Sequence, residues 1–127
     1  MMDITIIKFK IMKIAYIAHP IGGDVEGNLA EVLKIVRDIN INMPDVLPFA
    51  PYWIDCHALD DSVQEERNRG IKNDQTLMKA GFIDEVWLFG DRISAGMEHE
   101  IKLAKELGVP VFPCTAGTKR GYNNLIP

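Results

Sequence analysis

The chain has 127 residues, a formal net charge of −4, 47% hydrophobic residues and 25% charged residues. These values are typical of one folded domain and exclude a disordered, fibrous or membrane-embedded class. The negative charge and the absence of a long basic run argue against nucleic acid as a partner. We therefore expect one domain over residues 1–127, with residues 1–11 as an N-terminal extension or an edge strand.

Cysteine usage and hydropathy indicate a cytoplasmic setting. Cys56 and Cys114 are too few and too far apart for a disulfide framework or a redox pair, so free thiols are expected. The most apolar stretch, ITIIKFKIMKIAYIA, is interrupted by Lys8, Lys10 and Lys13, so it cannot span a bilayer, and it lacks a signal-peptide cleavage site. We expect no membrane partner.

The first half of the chain predicts a strand, a helix and a second strand. The apolar run at residues 13–18 ends in the loop cluster HPIGGD, which is typical of a buried strand followed by a turn. Apolar residues at helical spacing predict the first helix from Asp24 to about Ile41. The prolines of MPDVLPFAPYW favour a short or edge strand that opens into a loop.

The second half predicts further helices and strands in alternation. The polar segment from Asp60 to about Ala80 contains Gly70, which predicts a break between two helical pieces. The run at residues 84–90 is apolar without alternation, as in a strand covered on both faces. A helix at residues 94–108 and a fourth strand, VPVFP, follow. The tail CTAGTKRGYNNLIP has a loop-like composition.

This alternation predicts an α/β fold of the flavodoxin- or Rossmann-like type. The expected architecture is a three-layer sandwich around a mostly parallel sheet of four to five strands in the order 2-1-3-4. Ligands of such sheets bind beyond the carboxyl ends of the strands, where the strand order reverses. The predicted crevice lies between the first strand and residues 84–90, with the HPIGGD turn and residues 94–100 as its walls.

A glutamate interrupts the apolar face of the helix at residues 94–108. A helical wheel places Glu100 in the middle of the apolar arc of Met97, Ile101, Leu103, Ala104 and Leu107. A carboxylate on a buried face is costly unless it is paired or hydrogen-bonded. Two explanations remain open. Glu100 reaches the rim and accepts bonds from backbone N–H groups or a tyrosine, or it faces a ligand cavity as a nucleophile.

Residues 94–111, SAGMEHEIKLAKELGVPV, resemble the signature of the nucleoside 2-deoxyribosyltransferase-like superfamily. In that signature a glycine, a threonine or methionine and, after two further residues, a glutamate open a helix. The matching positions here are Gly96, Met97, Glu100, Ile101, Ala104 and Gly108. Residues 16–20, YIAHP, are similar to the first strand and turn of that superfamily, and the order of elements agrees over most of residues 12–113.

The resemblance implies a chemistry and a set of site residues. Glu100 would attack the anomeric carbon of a nucleoside or nucleotide, Tyr16 would orient its carboxylate, and Asp74 would contact or protonate the base. The resemblance also implies a homo-oligomer, because small members complete their sites across subunits. The residues expected to bind the substrate are His19, Pro20, Gly22, Gly23, Asp24, Asn28, Ser94, Gly96 and Met97.

Two departures from the signature leave a second function open. Ser94 stands where the superfamily usually has an aspartate, and Lys102 where it often has a glycine. The alternative is therefore a nucleotide- or nucleoside-binding module of the same fold without the chemistry. Ser94 also suits a helix N-cap, a role that is compatible with a ligand contact.

The remaining motifs leave binding roles open and predict no cofactor. The turn Ile21–Asp24 suits a tight turn or a sugar-phosphate cradle, but it is neither GxGxxG nor a Walker motif. His19 lies in the predicted crevice, as a ligand contact or as a turn histidine satisfied by backbone bonds. Asn28 either approaches the same ligand or is exposed. The scattered histidines and cysteines predict no metal site and no Cys-His nucleophile.

Overall fold

The computed structural model describes residues 12–125 as an α/β fold with four parallel strands. The elements are β1 (Lys13–Ala18), α1 (Val25–Asn42), β2 (Val46–Phe49), α2 (Tyr52–Ala58), α3 (Gln64–Lys79), β3 (Glu85–Leu88), α4 (Ala95–Glu106), β4 (Val111–Pro113) and α5 (Ala116–Leu125). The predicted extension or edge strand at residues 1–11 lies outside the described residues.

The sheet has the order β2-β1-β3-β4, as predicted. β1 pairs with both β2 and β3, so it occupies the centre, and Tyr16 has Phe49 on one side and Val86 on the other. The strand order reverses between β1 and β3, because the chain leaves β1 toward β2 and later returns to the opposite side. The carboxyl ends of β1 and β3 therefore form the crevice expected of an open parallel sheet.

Both edge strands carry a proline whose nitrogen faces the open side. Lys13 donates its backbone N–H to Asp45, so alternate residues of β2 bond to β1 and Pro48 points away from it. Val86 donates to the carbonyl of Pro110 and Cys114 donates to that of Leu88, which leaves Pro113 pointing outward on β4. Because proline has no N–H, it weakens further strand addition at both edges.

The two faces of the sheet are covered unequally. One face packs Tyr16, Val86 and Leu88 against residues of α3 and α4, including Met78 and Ile101. On the other face the hydrophobic cluster contains side chains of α1, including Ile39, against Ala15 and Ile17. Trp87 lies at the margin of this second cluster and Phe112 is 46% exposed. The prediction that the third strand is covered on both faces is therefore only partly correct.

Three predictions about the helices were wrong. α3 continues through Gly70 without a break, because a single glycine costs less than the helix gains from the packing of Met78 against the sheet. The tail forms α5, which is held by the buried Thr118, whose hydroxyl bonds to the carbonyl of Leu88 at 3.1 Å. A short helix, α2, follows β2 directly where a loop was expected. No helix within residues 12–125 is both long and apolar enough to cross a membrane.

Candidate functional site

The structure brings Tyr16, Asp74 and Glu100 together from three different elements. Tyr16 is the fourth residue of β1 and is fully buried, with its ring on the face that α3 and α4 cover. Its hydroxyl lies 2.8 Å from both carboxyl oxygens of Asp74, on α3, and is hydrogen-bonded to Oε2 of Glu100, on α4. The three residues are separated by up to 84 positions in the chain.

Glu100 reaches Tyr16 because α4 begins where it does. Ser94 caps the helix by accepting the N–H of Met97 at 3.3 Å, and Met97 and Ile101 are buried in the core. These two anchors orient the helix so that the intervening Glu100 is directed at the sheet and is only partly exposed. Leu107, which was predicted to share the apolar arc, is 43% exposed because α4 ends at Glu106.

The hydroxyl of Tyr16 is a single donor that faces two carboxyls. Burial and the nearby carboxylates of Glu100 and Asp74 raise the pKa of Tyr16 well above its ordinary value, so its hydroxyl stays protonated. One hydroxyl hydrogen cannot serve three acceptor oxygens at once. The remaining contact is satisfied when one of the two carboxyls is itself protonated. The two carboxyls therefore titrate as a pair rather than as independent groups.

Burial raises the pKa values of both carboxyls of the cluster. Burial, and next the charge of Asp74, raise the pKa of Glu100 well above its ordinary value. Burial also raises the pKa of Asp74, although the hydrogen bond from Tyr16 opposes that rise. Within the described residues, no lysine or arginine forms a salt bridge with either carboxyl. The cluster is thus a partly buried acidic group without a protein cation.

The sequence analysis did not identify Tyr52, because it predicted the end of a strand and a loop at this position. Tyr52 follows the end of β2, and its hydroxyl donates to the carbonyl of Ile17 at 2.6 Å. The centroid of its ring lies 6.0 Å from that of the Tyr16 ring. This contact anchors the first turn of α2 to β1. Pro51, directly before the helix, was the available signal, because proline favours the start of a helix.

Asp55 and Asn73 were also missed, and they adjoin the cluster. The amide of Asn73 donates to Oδ2 of Asp55 at 3.1 Å, which joins α2 to α3 one residue before Asp74. The charge of Asp55 contributes to the raised pKa of Asp74, after the effect of burial. The sequence offered no signal for this pairing, since a polar helix face is usually solvated.

A second feature, an open groove of about 520 Å³, lies at the carboxyl ends of β1 and β3. His19, Gly22, Gly23, Asp24, Asn28, Gly90 and Arg92 are among its lining residues, and Glu100 is not. Five predicted binding residues are thus brought together at the predicted crevice, while the carboxyl cluster lies under α3 and α4. Arg92, which the sequence reading did not single out, donates to the carbonyl of Gly22 at 3.3 Å.

The groove residues also have structural partners. The carboxylate of Asp24 accepts the N–H of Gly27 at 3.1 Å and so occupies the N-terminus of α1, the position at which a phosphate would bind. Asn28 holds the turn through the carbonyl of Ile21 at 2.9 Å and is partly buried. His19 is buried, and its Nδ1 donates to the carbonyl of Pro20 at 2.6 Å. These bonds favour a tight turn over a phosphate cradle.

The other predicted binding residues differ in their access to solvent. Pro20 is fully buried and lies against Gly90, where a Cβ would be 2.5 Å from the proline ring. Met97 is 1% exposed and belongs to the core, whereas Gly96 is exposed at the first turn of α4. Within residues 12–125, no group of three or more His, Cys, Asp and Glu side chains is arranged to hold a metal ion.

Comparison with known protein families gives one match. The family described as a domain of unknown function (DUF7768) matches residues 13–113. This chain belongs to the DUF7768 family. The match covers β1 to β4 and therefore includes Tyr16, Asp74 and Glu100, whereas α5 of this DUF7768 protein lies outside it. No curated protein and no solved structure matches the chain significantly.

Proposed function

We propose that this DUF7768 protein is an N-glycosidase or deoxyribosyltransferase that cleaves the N-glycosidic bond of a nucleoside or nucleotide. The observation that carries the proposal is the Tyr16 hydroxyl between two carboxyls, both with a raised pKa. Glycoside transfer with a covalent intermediate needs one ionised carboxylate as nucleophile and one protonated carboxyl as acid. In the proposed reaction Glu100 acts as the ionised member of the pair and Asp74 as the protonated one.

The spacing of the carboxyls argues against the inverting form of the reaction. Oxygens that are both within hydrogen-bond reach of one hydroxyl are at most about 6 Å apart. Retaining enzymes hold their carboxyl groups about 5 to 5.5 Å apart, whereas inverting enzymes need about 6.5 Å or more to admit a water molecule. A second support is that, among the described residues, no lysine or arginine forms a salt bridge with the cluster. An acidic cluster without such a partner stabilises the positive charge that develops on the sugar.

The proposed reaction has two displacements. The Glu100 carboxylate bonds to the anomeric carbon, the carbon–nitrogen bond breaks with its electron pair on the base, and Asp74 gives its proton to that base. Water or a second base then attacks the same carbon, gives a proton to Asp74 and releases Glu100. Tyr16 keeps its proton throughout and orients the attacking carboxylate.

A binding module without chemistry is the second candidate. It is favoured by the groove between β1 and β3, whose lining does not include Glu100. It is also favoured by Ser94, which replaces the expected aspartate and already acts as a helix cap. Under this alternative the groove holds a nucleoside or nucleotide, and the carboxyl cluster serves only to join β1, α3 and α4.

Base release separates the two candidates. Wild-type protein and the Glu100→Ala variant are incubated with a panel of nucleosides and nucleoside monophosphates, and free base is measured by chromatography. We expect release by the wild-type protein at least about 100-fold above the variant, and a glycosyl adduct on Glu100 in the mass spectrum of trapped protein. Equal release by both proteins contradicts the enzyme proposal, while saturable ligand binding without release supports the module.

The expected partners follow from the same proposal. A homo-oligomer in a reducing cytoplasm, with no added cofactor or metal, is the proposed working form. Light scattering at working concentration tests the assembly, and a strictly monomeric species contradicts it. Release of base that is unaffected by a metal chelator tests the proposed independence from metal.

A further inference from the structure

The loop at residues 89–93 connects β3 to α4 and borders both the groove and the carboxyl cluster. Gly90 and Arg92 of this loop line the groove at the carboxyl ends of β1 and β3. The loop leads into Ser94, which is the N-cap of the helix that carries Glu100. The conformation of the loop therefore determines where Glu100 lies relative to the groove.

Two hydroxyls at the start of α5 bind the backbone at the carboxyl end of β3. Thr115 donates its hydroxyl to the carbonyl of Gly90 at 2.6 Å, and Thr118 donates to that of Leu88 at 3.1 Å. Each hydroxyl oxygen also accepts the backbone N–H of the other threonine, at 3.2 Å for Thr115 and 3.1 Å for Thr118. This reciprocal pairing caps α5 at the same point at which the helix is bound to the loop.

Two glycines allow α5 to lie directly against the loop. A Cβ at Gly117 would overlap the carbonyl oxygen of Asp91, and a Cβ at Gly121 would lie 3.0 Å from the side chain of Ile93. Ile93 in turn packs on the core cluster to which Met97 of α4 belongs. The contact with α5 therefore extends along the loop to the residue that precedes the cap of α4.

The turn after β1 contacts the loop from the other side. Arg92 donates to the carbonyl of Gly22 at 3.3 Å, and a Cβ at Gly90 would lie 2.5 Å from the ring of Pro20. The loop thus lies between α5 and the turn whose glycines line the groove. A ligand in the groove contacts the loop on the side of the turn, and α5 opposes displacement of the loop.

We propose that Thr115 and Thr118 are positioning residues, which hold the loop at residues 89–93 so that Glu100 and the groove keep a fixed relation during base release. The inference rests on the proposed function for its catalytic meaning. Neither threonine contacts a reacting atom in that scheme, because both act through the backbone of the loop. The family match ends at residue 113, so this support for the site lies beyond the matched residues.

Hydrogen exchange of backbone amides, followed by NMR, tests the positioning. Thr118→Val keeps the shape of the side chain and removes its hydroxyl, whereas Thr118→Ser keeps the hydroxyl. We expect Thr118→Val to speed exchange in α4 by about tenfold or more and to leave α1 unchanged, because a local opening affects only the elements joined to it. Thr118→Ser should restore the exchange of the wild-type protein.

Thr76→Val is the matched control for the loss of a threonine hydroxyl. Thr76 is exposed, and its hydroxyl bonds to the carbonyl of Lys72 within α3 at 2.7 Å. We expect exchange in α4 to remain at the wild-type level in this variant. Thr115→Val removes the separate bond to Gly90 and should speed exchange in α4 as Thr118→Val does.

The kinetics of base release give the second readout. In both valine variants we expect kcat to fall by about tenfold or more with a smaller change in KM, because a displaced Glu100 attacks less often from a productive geometry. Thr118→Ser should recover the wild-type kcat.

Several results would overturn the inference. They are wild-type exchange in α4 of both valine variants, faster exchange with unchanged kcat, and failure of Thr118→Ser to restore either value. An equal increase in α1 and α4 also overturns it, since that result shows a general loss of stability. Absence of base release from the wild-type protein counts against the proposed function, and exchange still decides whether α5 holds the loop.

Discussion

Both carboxyl oxygens of Asp74 lie 2.8 Å from the hydroxyl of Tyr16, so α3 is joined to the central strand through a phenol. The same hydroxyl contacts Glu100, and this one oxygen therefore connects β1, α3 and α4. The contact is part-buried, where a hydrogen bond to a charged group contributes more than it does in water. Loss of that oxygen should lower both the free energy of unfolding and the activity.

Tyr16→Phe removes the bridging hydroxyl and nothing else. We expect the free energy of unfolding to fall by about 1 to 3 kcal/mol, because two partly buried carboxyls lose a donor. Base release should fall by at least about tenfold, since Glu100 loses the group that orients it. Urea unfolding and chromatography measure the two effects. Tyr52→Phe is the control, because its hydroxyl bonds to a backbone carbonyl instead, and we expect it to retain base release.

Glu100→Gln should change the dependence of stability on pH. The raised pKa of Glu100 means that the folded protein holds this proton above the ordinary pKa of about 4.3, at which the unfolded chain releases it. Between these two values the folded state binds more protons, so the free energy of unfolding falls as the pH rises. The contribution is fully present below the ordinary pKa and is lost as the pH rises through the folded value.

We therefore expect Glu100→Gln to be more stable than the wild-type protein at pH 7, by roughly 1 kcal/mol or more, and to release no base. Urea unfolding at several pH values measures the difference. The control is Glu98→Gln, an exposed carboxylate on the same helix, which should leave the pH dependence unchanged. A variant that is less stable than the wild-type protein at pH 7 would contradict the raised pKa.

Gly70→Ala should stabilise the protein. α3 is continuous through this position, and a Cβ there would lie 3.5 Å from Leu59, an ordinary contact. Alanine in a helix interior is favoured over glycine by about 0.5 to 1 kcal/mol. Thermal unfolding of Gly70→Ala should show a correspondingly higher Tm. A lower Tm would mean that α3 does break at this glycine.

Gly117→Ala is expected to have the opposite effect. A Cβ at Gly117 would lie 2.0 Å from the carbonyl oxygen of Asp91, so α5 would have to move away from the loop that precedes α4. We expect a loss of about 2 kcal/mol or more in the free energy of unfolding. Gly22→Ala is the matched control, since a Cβ there meets nothing within 4 Å. Equal stability of the two variants would contradict this packing.

Two substitutions of Ser94 distinguish its role as a helix cap from a contact with the ligand. Ser94→Ala should cost about 1 kcal/mol, because α4 loses the acceptor for the N–H of Met97. Ser94→Asp keeps a cap of equal quality and introduces the aspartate that is usual in the signature which residues 94–111 resemble. We expect unchanged unfolding in urea for Ser94→Asp together with altered substrate preference in base release. Identical kinetics of Ser94→Asp and the wild-type protein would leave Ser94 as a cap alone.

The local pattern of the sequence was sufficient for the sheet, for α1 and α4, and for the helical character of α3 but not for its continuity. Apolar runs between loop residues predicted the four strands, and their alternation with helices predicted parallel pairing in the order that is observed. The apolar runs of strands and the periodicity of helices arise from residues that are neighbours in the chain, so both can be recognised in a single sequence. Asp24 and Ser94 mark helix starts for the same reason, because a cap acts within three residues.

The errors occurred where long-range contacts override local preference. Gly70 is a helix breaker by propensity, yet α3 continues through it because the helix packs on the sheet. The polar tail forms α5 because Thr118 finds a partner in Leu88, 30 residues earlier. Tyr52, Asp55 and Asn73 showed no periodic signal, since their partners lie on other elements.

The sequence alone determined that a carboxylate occupies the apolar face of α4, because helical spacing makes that position unavoidable. It also determined that the loop residues HPIGGD follow the first strand. Only the tertiary structure decided that Tyr16, Asp74 and Glu100 meet at one oxygen and that the groove residues lie apart from them. Burial and the direction of side chains depend on packing between elements distant in the chain, and these set the pKa values of the cluster.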